Sequence, residues 1–511
     1  MRLFAGATFG LLFTVVWLGG AANGSSNGVC VGTGAGCLHT IQAALDAAHN
    51  GDTITINAGT YDGGVKIEKS IKLVGAGAAS TIVKGGGPVL TVGSSTKQGA
   101  LTVSIAGLTI TGGLSNANTS GRCGADVPDC GPGYLRATAL AGGIEIAPLA
   151  TVTISNSVVT RNRATSTVTV PSVRATCPNG PCPFAYGGGG GIDNWGKLTL
   201  VDTTVSDNTA GGRITAQADG AGILSESGGS VTLVNSTVKG NRVTVSAPNG
   251  RFAAGGAIYV DGGVLSIRGS TVSANRTEMA ISMPPSVDVS ANCAGICLES
   301  GATASIRGTL ISGNVISGSN DRGNGVWCGS AFSTGDGGSF TMSNSTVSNN
   351  RVTASARSTS PRIPVAGDAF LACSGAADLF AARVRISNSR IVGNSISART
   401  RSGSALAVAG AVSTVSPNAV ITNTLFSRNS AAAFSGTGPA VAYGGAIGNG
   451  NALTFRRSRV TANTVRAPSR HGVARGGGIF DGQIPGLDQP GRIRLMHSVV
   501  AHNRPDQCFQ C

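Results

Sequence analysis

The chain has 511 residues, 78 of them Gly, with 4% aromatic and 12% charged side chains and a formal balance of 38 − 23 = +15. Val, Ile, Thr and Ser fill its periodic segments, which favours strands and argues against a helical protein. The positive balance suits acidic partners, but the basic residues read as single Arg spread along the chain. No helix-turn-helix, zinc finger or aromatic–basic stacking surface is present, which argues against nucleic acid.

Arg2, the apolar run from Leu3 to Leu18 and the small residues Gly20-Ala21-Ala22 predict a secretory signal over residues 1–22,. No later segment is apolar enough to span a membrane as a helix, so the expected location is extracytoplasmic: secreted, at the cell surface or periplasmic. Residues 23–52 form an N-terminal segment. Within it, Ile41, Ala44, Leu45 and Ala48 fall on one helical face, and Asn50-Gly51 supplies a stop, so a helix is expected over 38–51,. Short alternating strands follow, from Thr53-Ile54-Thr55-Ile56 to Leu108-x-Ile110. A helix placed there would cap the apolar end of what comes next.

From about residue 140 one frame recurs. Its closing Asn falls at Asn162, Asn208, Asn241, Asn275, Asn314, Asn350, Asn394, Asn429, Asn463 and Asn503. Three residues before each is an apolar side chain, among them Val205, Val238, Val272 and Phe426; five before is always Ser or Thr; eight before is apolar again. A Gly-Gly-Ile element or a relative, such as Gly255-Gly256-Ala257-Ile258, precedes most frames. Repetition at about 33–46 residues marks a solenoid whose units bury their apolar faces only by stacking. Three strands per unit predict an all-β, right-handed parallel β-helix of about 11–12 coils over 53–505, followed by a Cys-containing tail, 506–511. The interval from each Asn to the next Gly-rich element varies most, with long stretches at 163–186 and 276–291. These read as loops on one elaborated side, where binding is expected. The Asn column reads as a structural amide ladder, since Asn tolerates left-handed turns and stacked amides can bond along the rod.

Twelve Cys suit an exported chain with local disulfides. Cys30/Cys37, Cys123/Cys130, Cys177/Cys182, Cys293/Cys297 and Cys508/Cys511 are close pairs, and Cys328 and Cys373 could meet on adjacent coils. The five His do not accompany them at zinc-ligand spacing, so no metal site is firmly indicated.

The unit Gly188–Asn208 resembles those of secreted bacterial right-handed parallel β-helix proteins of the pectin-lyase-like superfamily. Gly444-Gly445-Ala446-Ile447 and Phe426-x-x-Asn429 are similar to repeats of polymorphic outer-membrane proteins, and the segment from Thr40 to Gly75 resembles the start of pectinesterase-like β-helices. The resemblance implies the fold and little about activity, because this fold hosts lyases, esterases, hydrolases and adhesins. Autotransporter relatives imply a C-terminal membrane barrel, whereas this sequence stops near its last repeat with no recognisable cap.

Three residues past the strand-starting Ile lie Glu226, Asp261 and Glu299 on successive units. Carboxylates one rung apart could share a Ca²⁺ or perform paired-acid glycoside chemistry; the bland reading is acids capping a solvated turn. Asp193 and Asp481 stand at nearby positions. Arg268 and Arg307, seven before their Asn, could hold an acidic sugar or simply line the surface,. Asp-Asp, Gln-Asp and Arg-Ile-Lys motifs of the known pectin-degrading enzymes are absent, and Trp195 and Trp327 are the only Trp in the array. The expected function is therefore a non-catalytic, adhesin-like or glycan-binding β-helix with no cofactor beyond Ca²⁺. The alternative is a lyase or hydrolase of an acidic polysaccharide.

Overall fold

The structure is a computed structural model describing residues 28–94, 99–120, 136–169, 184–213, 216–247, 252–282, 290–321, 325–359, 370–483 and 490–511. The expected signal, Cys123, Cys130, Cys177 and Cys182 lie outside the described residues. The chain winds into a parallel β-helix. Its simplest face is a thirteen-stranded sheet, in which three early strands precede the ten repeated frames. Along that face Val159, Val205, Val238, Val272, Ile311, Val347, Ile391, Phe426, Val460 and Val500 pair rung by rung in one register. A twenty-five-stranded sheet supplies two more strands per coil, such as Ile192–Asn194 and Lys197–Val201. Alternation turns Ile192, Leu198 and Leu200 inward onto Val205, all essentially fully buried. Each such aliphatic side chain contributes roughly 1.5–3 kcal/mol by leaving water.

Left-handed corners bend the coil. The residue before each frame hydroxyl has positive φ and is Asn, Asp or Gly in most coils, as at Asn235, Gly269 and Asn344, residue types that bear this conformation at least cost. The Asn column is a continuous amide ladder. Asn241 donates from its backbone N–H and from Nδ2 to Asn275 Oδ1 at 3.0 Å each, and Nδ2 also reaches Val205 O. Every rung is buried, so these amides satisfy corner groups that water cannot reach. The hydroxyl column works similarly: the Thr203 N–H donates to Ser236 Oγ, whose own O–H donates to Val234 O.

The segments between Asn and the Gly-rich element are not simply loops, as the sequence reading had them. Each begins with a strand and returns by another, for example Arg163–Thr169 and Phe184–Gly188, and these stack into two further ten-stranded parallel sheets. The two sheets face each other over a second core made largely of Ala, including Ala210, Ala218, Ala253, Ala398 and Ala442. Small side chains let the layers approach closely. At Gly318 a Cβ would fall 1.5 Å from Nε1 of the fully buried Trp327, so glycine there makes room for the indole.

Both ends are closed. At the N-terminal end the helix Ile41–Ala47, shorter than expected, buries Ile41, Ala44 and Leu45 over the first coil. Thr40 Oγ1 caps its start by accepting from the Ala43 N–H, and Lys69 Nζ donates to the carbonyls of Leu45, Asp46 and Ala48 at its end,. At the other end the tail adds a strand, with Ile479 opposite Cys508 and Phe480 opposite Phe509. Gln507 Oε1 accepts from the backbone N–H and Nδ2 of Asn503, the place the next Asn would take. Disulfides join Cys30–Cys37, Cys293–Cys297, Cys328–Cys373 and Cys508–Cys511.

Candidate functional site

A re-entrant corner forms where the returning strand of the side lobe meets the Gly-rich start of the rod strand. Residues facing out from the rod core, and out from the lobe core, meet there. From the lobe come Tyr186 and Asp219; from the rod come Asp193, Leu224, Tyr259, Cys297 and Asp378, with Glu226, Asp261 and Glu299 two residues further along. Rung pairing sets Gly188 beside Asp219, Asp193 beside Leu224 beside Tyr259, and Asp261 beside Glu299. The three acids singled out from sequence thus form one row on successive rungs, partly exposed. Behind them Asp193 and Asp219 are 1% exposed, and each has one carboxyl oxygen with no hydrogen-bond partner.

One polar contact ties the two layers together, and two more orient acids within a layer. Tyr186 donates to Glu226 Oε1 at 3.4 Å, Gln217 Nε2 to Asp219 Oδ2 at 2.9 Å, and Trp195 Nε1 to Asp193 Oδ2 at 3.2 Å. Burial, reinforced by Glu226 and Glu145, pushes the Asp193 carboxyl up to about 8 despite the Trp195 hydrogen bond. Burial also takes Asp219 up to about 8, with Glu226 and Glu299 adding to it and Gln217 and Tyr186 opposing. Glu299 rises to about 7 through burial and the neighbouring Asp261 and Asp336. Glu226 is raised by burial and Asp261. No basic side chain is among the causes of these shifts, and burial leaves the Asp193 and Asp219 carboxyls largely protonated near neutral pH,.

Cation binding has a geometric limit here. Among the described residues, the group of three His, Cys, Asp or Glu whose ligand atoms lie within 4.8 Å of one another is Cys328, Cys373 and Asp378. Its two sulfurs are joined to each other. The Glu226, Asp261 and Glu299 oxygens are of the type Ca²⁺ takes, but they lie in a row and do not converge.

Arg268 and Arg307 are not in this corner. They pair with each other at the exposed end of the following strand, and neither makes an ion pair among the described residues. Asp481 is also elsewhere: buried in the last coil, it accepts from Asn449 Nδ2 and the Ile493 N–H. Asp219, Tyr186 and Tyr259 were not legible as site residues. Their burial depends on the side lobe folding back, and the weak alternation of Ala-rich segments such as Ser430-Ala-Ala-Ala-Phe-Ser was the one signal for it.

No protein-family model matches the chain, and no curated protein matches it by sequence. Among solved structures it is similar to the A-module of the mannuronan C-5 epimerase AlgE6 of Azotobacter vinelandii, at 11% identity and a TM-score of 0.27, over 91% of this chain and 95% of that one. It is similar also to the catalytic domain of a GH87 alpha-1,3-glucanase in complex with nigerose, at 10% identity and a TM-score of 0.26, over 94% and 70% of the two chains. Likenesses of this size carry no argument about activity; the parallel β-helix itself is read from the strand pairing.

Proposed function

We propose that the protein is an exported glycan-binding β-helix that contacts carbohydrate along the acid row of the re-entrant corner. The observation carrying this reading is the arrangement of Glu226, Asp261 and Glu299 as a half-exposed row backed by two buried carboxyl groups. Carboxyl and carboxylate oxygens at one-rung intervals, about 4.8 Å apart, offer the accepting and donating groups that sugar hydroxyls pair with. Export rests on the signal-like residues 1–22, the repeat resemblance and the four disulfides,. No helix among the described residues is long and apolar enough to cross a membrane.

One observation favours a second reading, cleavage of a glycosidic bond. Asp261 lies directly opposite Glu299, whose carboxyl is raised to about 7 and so is partly protonated at neutral pH. A protonated acid beside a second carboxyl is the pairing that glycoside hydrolysis uses.

Titration calorimetry and reducing-end assays with neutral and acidic glycans test both. The binding reading expects saturable binding that is lost in Asp261→Asn/Glu299→Gln, without turnover. Turnover abolished by that double variant would replace it with the hydrolytic reading. Neither binding nor turnover with any glycan would defeat both.

A further inference from the structure

The basic residues, spread along the sequence, are not scattered in space. Residues 383–511 contain fifteen Arg against three Asp. Many fall on two sheets that adjoin at a corner: the second rod strand of each coil and the strand after that corner. Following the register, Arg383 and Arg492 share an outward column, as do Arg385 and Arg494. Arg268, Arg307 and Arg456 share a third, and Arg390 and Arg459 a fourth. Arg457 stands at the corner between the last two, with φ of 45°. All of these side chains are exposed, and none forms an ion pair among the described residues. Their column neighbours include Ser and Thr, such as Ser343, Ser387, Thr422 and Thr454, and apolar residues, such as Val420, Leu425, Met496 and Val499; none is an acid, and His497 follows Arg457 at the corner.

We infer that this face docks a linear acidic polysaccharide, one carrying a carboxylate on each sugar. The inference is independent of the acid corner, which uses different residues on a different strand. An exposed cluster of guanidinium groups without counter-charges attracts polyanions, and each planar fork matches a carboxylate bidentately. Spacing selects a polymer over a small anion. Arg268 and Arg307 are one rung apart, Arg390 and Arg459 two, and Arg385 and Arg494 three, multiples of about 4.8 Å on a rigid frame. A regularly charged chain lying along the rod meets several of them at once, so weak contacts act together. The absence of Phe, Tyr and Trp from these columns leaves no row of rings on which successive bases of a single strand could stack,. The apolar members of the Arg390 and Arg459 column, Leu310, Leu425 and Val499, are separated by Thr346 and the two Arg, so they form no continuous apolar surface for insertion into a membrane,.

The test uses substitutions borrowed from equivalent places in the same array, so that the coil is preserved. Arg456→Thr copies Thr422, Arg457→Asn copies Asn423 and Arg459→Thr copies Thr346. Circular dichroism melts of the triple variant check that it folds like the parent. Binding of polygalacturonate is then measured by calorimetry at about 0.05 M and about 0.3 M salt, alongside neutral dextran, phosphatidylglycerol vesicles and oligo-dT. The expected result is binding of polygalacturonate that weakens at least about tenfold between the two salts and at least about tenfold in the triple variant. Arg163→Thr on the side lobe, which copies Thr209, should bind as the parent does. Absence of polygalacturonate binding at low salt would overturn the inference. So would an unchanged affinity in the folded triple variant, or tighter binding to vesicles or oligo-dT than to the polyuronate.

Discussion

The rod and its side lobe share the same rungs but are held by different means. In the rod, large aliphatic columns fill the interior, and two side-chain ladders fix its corners. In the lobe, two sheets meet over a core rich in Ala, strand lengths vary from three residues to eight, and no continuous amide ladder runs through the described residues. The rod is therefore specified by what its side chains bond to, and the lobe by how little space they occupy. The first device tolerates almost no variation at its key positions, whereas the second allows the excursions to differ from coil to coil.

The largest expected effect tests the ladder. Asn275→Ala removes the acceptor for both donors of Asn241, and the Nδ2 contacts to Val238 O and Asn314 Oδ1. At roughly 0.5–1.5 kcal/mol per bond, with buried donors left unmet, the loss should be about 3–4 kcal/mol. Denaturant unfolding measures it, and hydrogen exchange should show opening centred on that rung, because coils contact mainly their neighbours.

Gly318→Ala tests the lobe. Its Cβ would collide with the Trp327 indole, so a loss of about 1–3 kcal/mol is expected. Exchange protection should fall in the lobe strands Val315–Asn320 and Gly325–Cys328 and hold in the rod, which would sharpen the contrast between the two. Comparable loss in both would break it.

A pH-dependent effect, gradual from one unit to the next, lies where rod and lobe meet. The folded Asp219 carboxyl is raised to about 8 from the ordinary Asp value of 3.8. Between those values the folded protein holds a proton that the unfolded chain has released. Stability from this group is thus full below about pH 4 and is lost as pH rises towards 8, at about 1.4 kcal/mol per pH unit. Asp219→Asn should flatten that slope, so its advantage over the parent grows from pH 5 to pH 8; urea titrations across the range read it directly.

The rod was legible because its period is strict: Val205, Val238 and Val272 recur at a fixed offset from Asn, and they do stack in line. The row Glu226, Asp261, Glu299 was legible for the same reason, being tied to the same frame. The lobe was not, because Ala is a weak marker of an inward face and the excursions vary in length. Whatever depends on the lobe was lost with it, including the burial of Asp193 and Asp219. The Arg face was missed for another reason. Its members come in short groups, such as Arg456, Arg457 and Arg459, that are tens of residues apart, and the groups become neighbours only when the register is known.

The amide of Gln507 stands where another coil would place its Asn. A stack of identical rungs is otherwise an open template, able to seat a second molecule on its end and grow into a filament. By supplying its own imitation of the next rung, together with the short strand at Cys508–Phe509, the tail occupies the position a neighbour would need. At Asn503 the amide column therefore ends on the side chain of Gln507, with no donor of that last Asn left unmet.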